Sequence, residues 1–131
     1  MIVNITNEVF TKLKNEIKNA TVLTSYNLKN PQFPCITFVE TSNTKDDNTI
    51  DSSGETVNIL AFEVNIFTTG NMKLSRAIEI RQAVDNILSD YYKMSRDFAS
   101  ETPNYLDDTI YRYTMRYSCL VDKNKTIYRG N

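Results

Sequence analysis

The sequence predicts an α+β fold: a two-layer sandwich in which one mainly antiparallel sheet carries two principal helices on one face, in the order α-β-β-α-β-β. Two segments place apolar residues at the three- and four-residue spacing of an amphipathic helix. Other segments alternate apolar and polar residues with the period of two that is typical of strands. With 131 residues the chain has the usual size of one domain, and we predict a single domain over residues 1–131.

The first helix is predicted to begin at Thr6, because a threonine hydroxyl can accept a hydrogen bond from a backbone N–H of the first turn. Apolar residues then recur every three or four positions and predict about four turns of helix with one side against a core. They are Phe10, Leu13, Ile17 and Ala20.

The first strand is predicted from Pro34, which opens the apolar, β-branched run of residues 35–39. Residues 41–54 follow with one apolar residue among fourteen, so burial cannot offset the entropy that is lost on ordering them. We predict a mobile loop or hairpin tip there. Asp46, Asp47 and Asp51 lie in this loop, but their spacing lacks the ligand pattern of a calcium-binding EF-hand, and we expect no metal.

The second strand has the clearest pattern: over residues 55–69, four large apolar residues alternate with a mixed set that includes Glu63 and Asn65. Gly70 ends the strand, and apolar residues at helical spacing predict a helix over residues 72–92. The predicted core side of this helix consists of Leu74, Ala77, Ile78, Val84, Ile87, Leu88 and Tyr91.

A closing hairpin is predicted over residues 110–129 from period-two alternation, a polar turn and a short final strand. If helices cover the tyrosine face of its first strand, the open face keeps charge but offers no platform on which RNA bases could stack. The tyrosine face carries Tyr111, Tyr113 and Tyr117, and the other face carries Arg112 and Arg116.

The composition does not indicate catalysis. The chain contains no histidine, the residue that most often carries acid-base chemistry at neutral pH. Asp107 and Asp108 are adjacent carboxylates, but they precede a strand and are typical of a turn. We predict that the protein is not an enzyme and that it has no catalytic residue and no cofactor.

Cys35 and Cys119 are the two cysteines, and each lies within an apolar strand pattern. Two cysteines without histidine cannot complete a structural zinc site, so we expect buried reduced thiols; a disulfide between neighbouring strands is the alternative. A net charge of −1 provides no global attraction to nucleic acid or to an anionic membrane. No apolar stretch approaches the roughly 20 residues that cross a bilayer, and we expect no membrane partner.

Several segments together carry a resemblance to a known family. They are Phe33-Pro34-Cys35-Ile36 at the start of the first strand, the polar loop before residues 55–69, the helix over residues 72–92, and the closing segments 108–112 and 127–129. In this order they resemble the neck proteins of tailed bacteriophages: the tail terminator and tail completion proteins, also described as minor capsid or head-tail joining proteins. The likeness extends over nearly the whole chain.

The resemblance implies a structural protein that assembles as a six-fold ring on the end of the tail tube. There it would stop the addition of tube subunits and present a surface on which the connector of the filled head docks. The implied partners are further copies of the chain in a homohexameric ring, the tail tube protein, and the head connector or completion protein. The implied location is the neck or tail end of the virion, after assembly in the host cytoplasm.

We place candidate contacts with neighbouring subunits or the tube at Lys45, Asp46, Asp47 and Asp51 in the polar loop. Arg112 and Arg116 are candidates for charged pairs across a ring interface, with a solvated strand face as the alternative. Two other functions stay open. One is another neck component, such as a connector adaptor, and the other is a small α+β domain that binds single-stranded RNA through the two arginines.

Overall fold

A computed structural model of the protein describes residues 2–25, 32–46, 57–104 and 107–129. Within these ranges the fold is α+β, with two α-helices and six strands in one mixed sheet. A six-residue π-helix, Asn86–Tyr91, continues the second α-helix. The elements in chain order are α1 (Thr6–Glu16), β1 (Thr21–Leu23), β2 (Cys35–Asp46), β3 (Val57–Thr68), α2 (Lys73–Asp85), β4 (Ser95–Glu101), β5 (Tyr111–Val121) and β6 (Ile127–Arg129).

The strands are ordered β1-β2-β3-β5-β4, and β6 pairs with the end of β5 that β4 leaves open. The short β1 is parallel to β2, and the other pairs are antiparallel. Strands β1 and β4 were not predicted from the sequence. β1 has three residues, too few to show a period, and β4 is exposed almost throughout, so burial imposes no alternation on its sequence.

The long strand β2 corrects the predicted loop. Residues 41–46 belong to β2, where Ser42 pairs with Ala61 and Asp46 pairs with Val57. Backbone pairing with β3 stabilises this polar segment although its side chains bury little, which a sequence pattern cannot reveal. Residues 47–54 of the predicted loop, with Asp47 and Asp51, lie outside the described residues.

Helix α1 has eleven residues rather than four full turns. Thr6 is the first helical residue instead of the cap: Ile5 is the N-cap, and the Asn4 side-chain oxygen accepts the Thr6 N–H at 2.8 Å in the turn that leads into the helix. Val9 and Leu13 form the buried stripe, and Phe10 is only half-buried. Leu13 and Ile17 are buried as predicted, and Phe10 and Ala20 pack partly buried against the core, so the prediction missed only Val9.

The buried side of α2 confirms the prediction at Ala77 and Val84 and differs from it elsewhere. Ala77, Ile80 and Val84 are buried, while Leu74 and Ile78 remain 53% and 43% exposed. The stripe that meets the sheet follows the i, i+3, i+7 row of the helix, and Leu74 and Ile78 lie beside that row. The following π-helix has a wider turn than an α-helix, which shifts the buried side again. Its residues Ile87 and Leu88 are buried, whereas Tyr91 is 61% exposed.

One face of the sheet forms the core. We call it the core face; it holds the alternate residues Leu60, Phe62, Val64 and Ile66 of β3 together with Met115, Tyr117, Cys119 and Val121 of β5. α1 packs against β1 and β2, and α2 packs against β3 and β5. The rings of Phe38 and Phe62 stack with centroids 4.8 Å apart. Burying a large apolar side chain of this kind contributes about 1.5–3 kcal/mol, so this cluster dominates the stability of the fold.

Both cysteines are buried, as predicted, and neither is in a disulfide. Cys35 lies on β2 and Cys119 on β5, with β3 between the two strands. Within the described residues, no helix has the length and apolar character that crossing a bilayer requires.

Candidate interaction surface

The opposite face of the sheet carries a polar network. We call it the outer face; its central residues are Glu63 and Asn65 of β3 and Arg112, Thr114 and Arg116 of β5. The register places Glu63 beside Arg116 and Asn65 beside Thr114. Residues that are paired across neighbouring strands project to the same face, so these side chains lie side by side.

Asn65 is the centre of this network, and it is fully buried. Its side-chain oxygen accepts two hydrogen bonds at 2.8 Å, one from the Arg112 Nε and one from the Thr114 hydroxyl. Its amide nitrogen donates to Glu63 Oε1 at 3.0 Å. A buried amide that makes all of these hydrogen bonds holds its partners in place. If a partner moved away, the bond would break and a polar group would be left buried without a hydrogen bond.

Glu63 pairs with both predicted arginines. Arg116 Nε lies 3.2 Å from Glu63 Oε2, and an Arg112 Nη nitrogen lies 3.9 Å from Oε1. The side chains of Arg116 and Arg112 are 57% and 29% exposed, against 15% for Glu63. The two arginines therefore pair first within their own chain. Together with Glu63 they form a strip on the outer face, which we call the arginine strip. Two arginines and one glutamate give this strip a net charge of +1.

Two aromatic rings border this strip. The Arg116 guanidinium lies 4.9 Å from the centroid of Phe98 on β4, and that of Arg112 lies 5.8 Å from Phe67. Phe98 is 40% exposed, and the sequence interpretation did not include it because β4 was not predicted. The residues around Phe98 do not alternate between apolar and polar, so the sequence did not predict a strand there.

The tyrosines of β5 share one face, as the alternation predicted, and this face is the core face. Tyr117 is fully buried, and Tyr111 and Tyr113 are partly buried against the core cluster. The guanidinium of Arg81 on α2 lies 4.8 Å from the Tyr113 ring centroid. These rings are therefore engaged by α2 and the core, and they do not form an open stacking platform.

Lys45 and Asp46 do not join the arginine strip. They pair with Asn58 and Val57 at the far end of β3, whereas Arg112 pairs with Phe67 near the other end. The candidate residues that the structure describes therefore form two separate groups along the sheet.

Exposed apolar side chains occur on both sides of the sheet. Leu74 and Ile78 are exposed on α2, which packs on the core face, together with the neighbouring Met72. On the outer face, Ile59 and Tyr128 are 37% and 48% exposed, and both flank Leu120 in register across β3, β5 and β6. Large exposed apolar groups in clusters are typical of surfaces that contact other proteins.

A wide groove of about 740 Å³ lies beside the start of α2, between the end of β4 and the loop before β5. Lys73, Glu101, Tyr111 and Arg112 contribute to its lining. Asp107, also at this groove, accepts the Thr109 hydroxyl at 2.6 Å and the Thr109 N–H at 3.0 Å. These bonds lower the pKa of Asp107 and form the turn that the sequence predicted.

The described residues contain no cluster of three or more histidine, cysteine or acidic side chains placed to hold a metal ion. No protein-family model matches the chain, and it matches no curated protein.

Proposed function

We propose that this protein is a structural virion protein that caps the phage tail tube as a homohexameric ring and provides the docking surface for the head connector. The observation that carries the proposal is the exposure of apolar side chains on two separate sides of a small chain. Leu74 and Ile78 lie on α2, whereas Ile59 and Tyr128 lie on the outer face. Two different surfaces on one chain are what head-to-tail assembly into a ring requires.

The proposed arrangement of the fold is a two-layer sandwich with both helices on the core face. Two observations support it: α1 and α2 pack against the sheet, and their buried residues belong to one cluster with the core-face side chains. The outer face is then left for assembly. In the ring, the helical side of one subunit would contact the outer face of the next, and six repeats of a modest contact would gain strength through avidity.

The tube contacts are proposed at the far end of β2, where Lys45 and Asp46 lead into the segment that carries Asp47 and Asp51. The charged side chains of Lys45 and Asp46 suit a polar contact with the tube end, because complementary charges steer two surfaces together and fix their register. The protein would accordingly be made in the host cytoplasm and retained in the neck of the virion.

Two alternative functions would involve the same surfaces in other contacts. A connector adaptor would form a ring but would bind the head side without stopping tube growth. A single-stranded RNA-binding domain has less support, because Glu63 lies between Arg112 and Arg116 and pairs with both. The tyrosines on the core face also leave few rings for base stacking. We propose no catalytic role.

The proposal is tested by adding the purified protein to tail tube protein of the same phage as it polymerises. Tube lengths are then measured by negative-stain electron microscopy. We expect the wild-type protein to arrest elongation and to appear as a ring at one tube end. Tubes that grow equally long with and without it would contradict the proposal.

Matched variants separate assembly from folding. Ile78→Glu places a charge in the exposed apolar side of α2 and should abolish capping, whereas Ser75→Glu adds the same charge at another exposed position of the helix and should leave capping intact. Equal capping by the two variants would show that the Leu74 and Ile78 surface is not part of the ring contact.

A further inference from the structure

The strand β4 forms one edge of the sheet, and nothing in the described part of the chain pairs with its outer side. Six of its seven residues are exposed. Its middle residues, Phe98, Ala99 and Ser100, carry no charge or proline, the groups that usually protect an edge strand from pairing with another chain.

The backbone groups of two β4 residues point to that open side. The Thr102 N–H donates to the Arg112 carbonyl at 2.9 Å, which makes Thr102 and Arg112 a hydrogen-bonded pair of the antiparallel ladder. Hydrogen-bonded pairs alternate with non-bonded pairs along such a ladder. Ser100 and Phe98 therefore direct their backbone groups to β5, whereas Ala99 and Glu101 direct theirs away from it.

A β-bulge gives the edge a symmetric charge pattern. The register of β4 on β5 shifts between Arg96 and Phe98, so that Asp97 is the extra residue. Ala99 pairs with Met115 of β5, Arg96 with Tyr117 and Glu101 with Tyr113. Counted on β5, Arg96 and Glu101 therefore lie two positions to either side of Ala99. Both charged side chains lie on the core-face side, since Tyr113 and Tyr117 do.

We propose that β4 pairs antiparallel with β4 of a second copy of the chain, about a two-fold axis at Ala99. With Asp97 as the extra residue in the new ladder, as it is in the pairing with β5, this register places Arg96 of each copy opposite Glu101 of the other, so two ion pairs form. Ala99 lies opposite Ala99, where small side chains allow close approach, and Phe98 lies opposite Ser100 on the outer face. The N–H and C=O groups that point outward become the hydrogen-bonded pairs of the new ladder.

The own-chain contacts of the charged residues are compatible with this pairing. Arg96 is held by Asp85 at 2.9 Å but is 50% exposed, so its guanidinium can bind a second carboxylate. The Glu101 carbonyl accepts the Ser100 hydroxyl at 3.1 Å and has a second lone pair for the neighbouring strand.

Such a contact closes at two copies, because both use the same surface. It is separate from the head-to-tail contacts of the proposed ring, and either can exist without the other. It also covers the exposed edge of the free protein, which otherwise is a site for uncontrolled strand pairing.

The test is sedimentation velocity of the full chain over a wide range of concentration, with two variants. Ala99→Pro removes a backbone donor that points away from β5, a position where an edge strand tolerates proline, and should leave only monomer. Glu101→Arg places like charges opposite each other and should weaken the dimer about tenfold or more. Glu79→Arg makes the same charge change on the exposed side of α2 and should leave the dimer unchanged.

We expect the wild-type protein to show a monomer–dimer equilibrium, with slower hydrogen exchange at Ala99 and Glu101 as the dimer forms. Circular dichroism should give the same spectrum for the Glu101→Arg and wild-type proteins. A wild-type protein that stays monomeric at every concentration would overturn the proposal. So would a dimer of equal strength in the Glu101→Arg and Glu79→Arg variants.

Discussion

The Tyr117 hydroxyl donates a hydrogen bond to Asp85 Oδ1 at 2.7 Å, which links the fully buried centre of β5 to the last residue of α2. The other carboxylate oxygen of Asp85 lies 2.9 Å from an Arg96 nitrogen on β4. One carboxylate thus joins three elements. Burial first, and then the bond to Asp85, raise the pKa of Tyr117, so the hydroxyl keeps its proton at physiological pH.

Tyr117→Phe should therefore lower the free energy of unfolding by about 1–2 kcal/mol, because a partly buried carboxylate loses a charge-assisted bond while the ring packing stays. Urea unfolding followed by circular dichroism measures the change. Tyr91→Phe, at a ring that is 61% exposed, serves as the control and should change stability by less than about 0.5 kcal/mol. Equal stability of the two variants would mean that the Tyr117 bond contributes nothing net.

Asn65→Ala should destabilise the fold by about 2–4 kcal/mol, because Arg112, Thr114 and Glu63 each lose a bond and the site is fully buried. Asn71→Ala, at an exposed asparagine in the turn after β3, should be nearly neutral. The comparison is made by the same urea titration. A small effect of Asn65→Ala would show that water replaces the amide and that the outer-face network is not rigid.

The native protein should react very slowly with thiol reagents at pH 8. Burial raises the pKa of Cys35 above its usual value and that of Cys119 to about 12, so little thiolate forms and neither sulfur is accessible. The absorbance change with Ellman's reagent should appear on the time scale of unfolding, and two thiols should react at once in denaturant. Rapid reaction of one thiol in the native protein would show an open path to that strand.

The free energy of unfolding should fall at alkaline pH because of the ionisation of Tyr92. Burial, with a smaller effect of Glu8, raises the pKa of Tyr92 from 10.0 to about 12. In the unfolded chain the phenol ionises near pH 10, so the folded state loses this stabilising contribution as the pH rises from about 10 to 12, and retains it fully below 10. The urea midpoint of the wild-type protein, measured across this range, should fall more steeply than that of Tyr92→Phe. Parallel curves would show that Tyr92 ionises as freely as in the unfolded chain.

The alternating segments could be predicted from sequence because one face of each is buried. The patterns around Leu60 and Tyr117 sorted the side chains of each strand into two faces, and the two helices were found by their periods; which face of β5 meets the helices had stayed open. In α1 the prediction held at Leu13 but chose Phe10 over Val9, because both are apolar and only packing decides which of them is fully buried. The predicted core side of α2 failed at Leu74 and Ile78, which the helix leaves exposed.

The candidate surface was harder to predict, because its geometry depends on pairing between distant segments. Arg112 and Arg116 could be chosen from their shared strand face, but their partner Glu63 becomes adjacent only through the β3–β5 register. The sequence could not predict that Phe98 lies at this surface. β4 has no periodic burial, and it forms a strand because its backbone pairs with β5.

The most direct test of the tail-terminator function is electron microscopy of particles from a phage that carries an early stop codon in this gene, compared with the parent phage and with the mutant supplied with the intact gene. The proposed function predicts tails of uncontrolled length beside unattached filled heads, with normal particles restored by the intact gene. Infectious virions with tails of normal length in the mutant would contradict it.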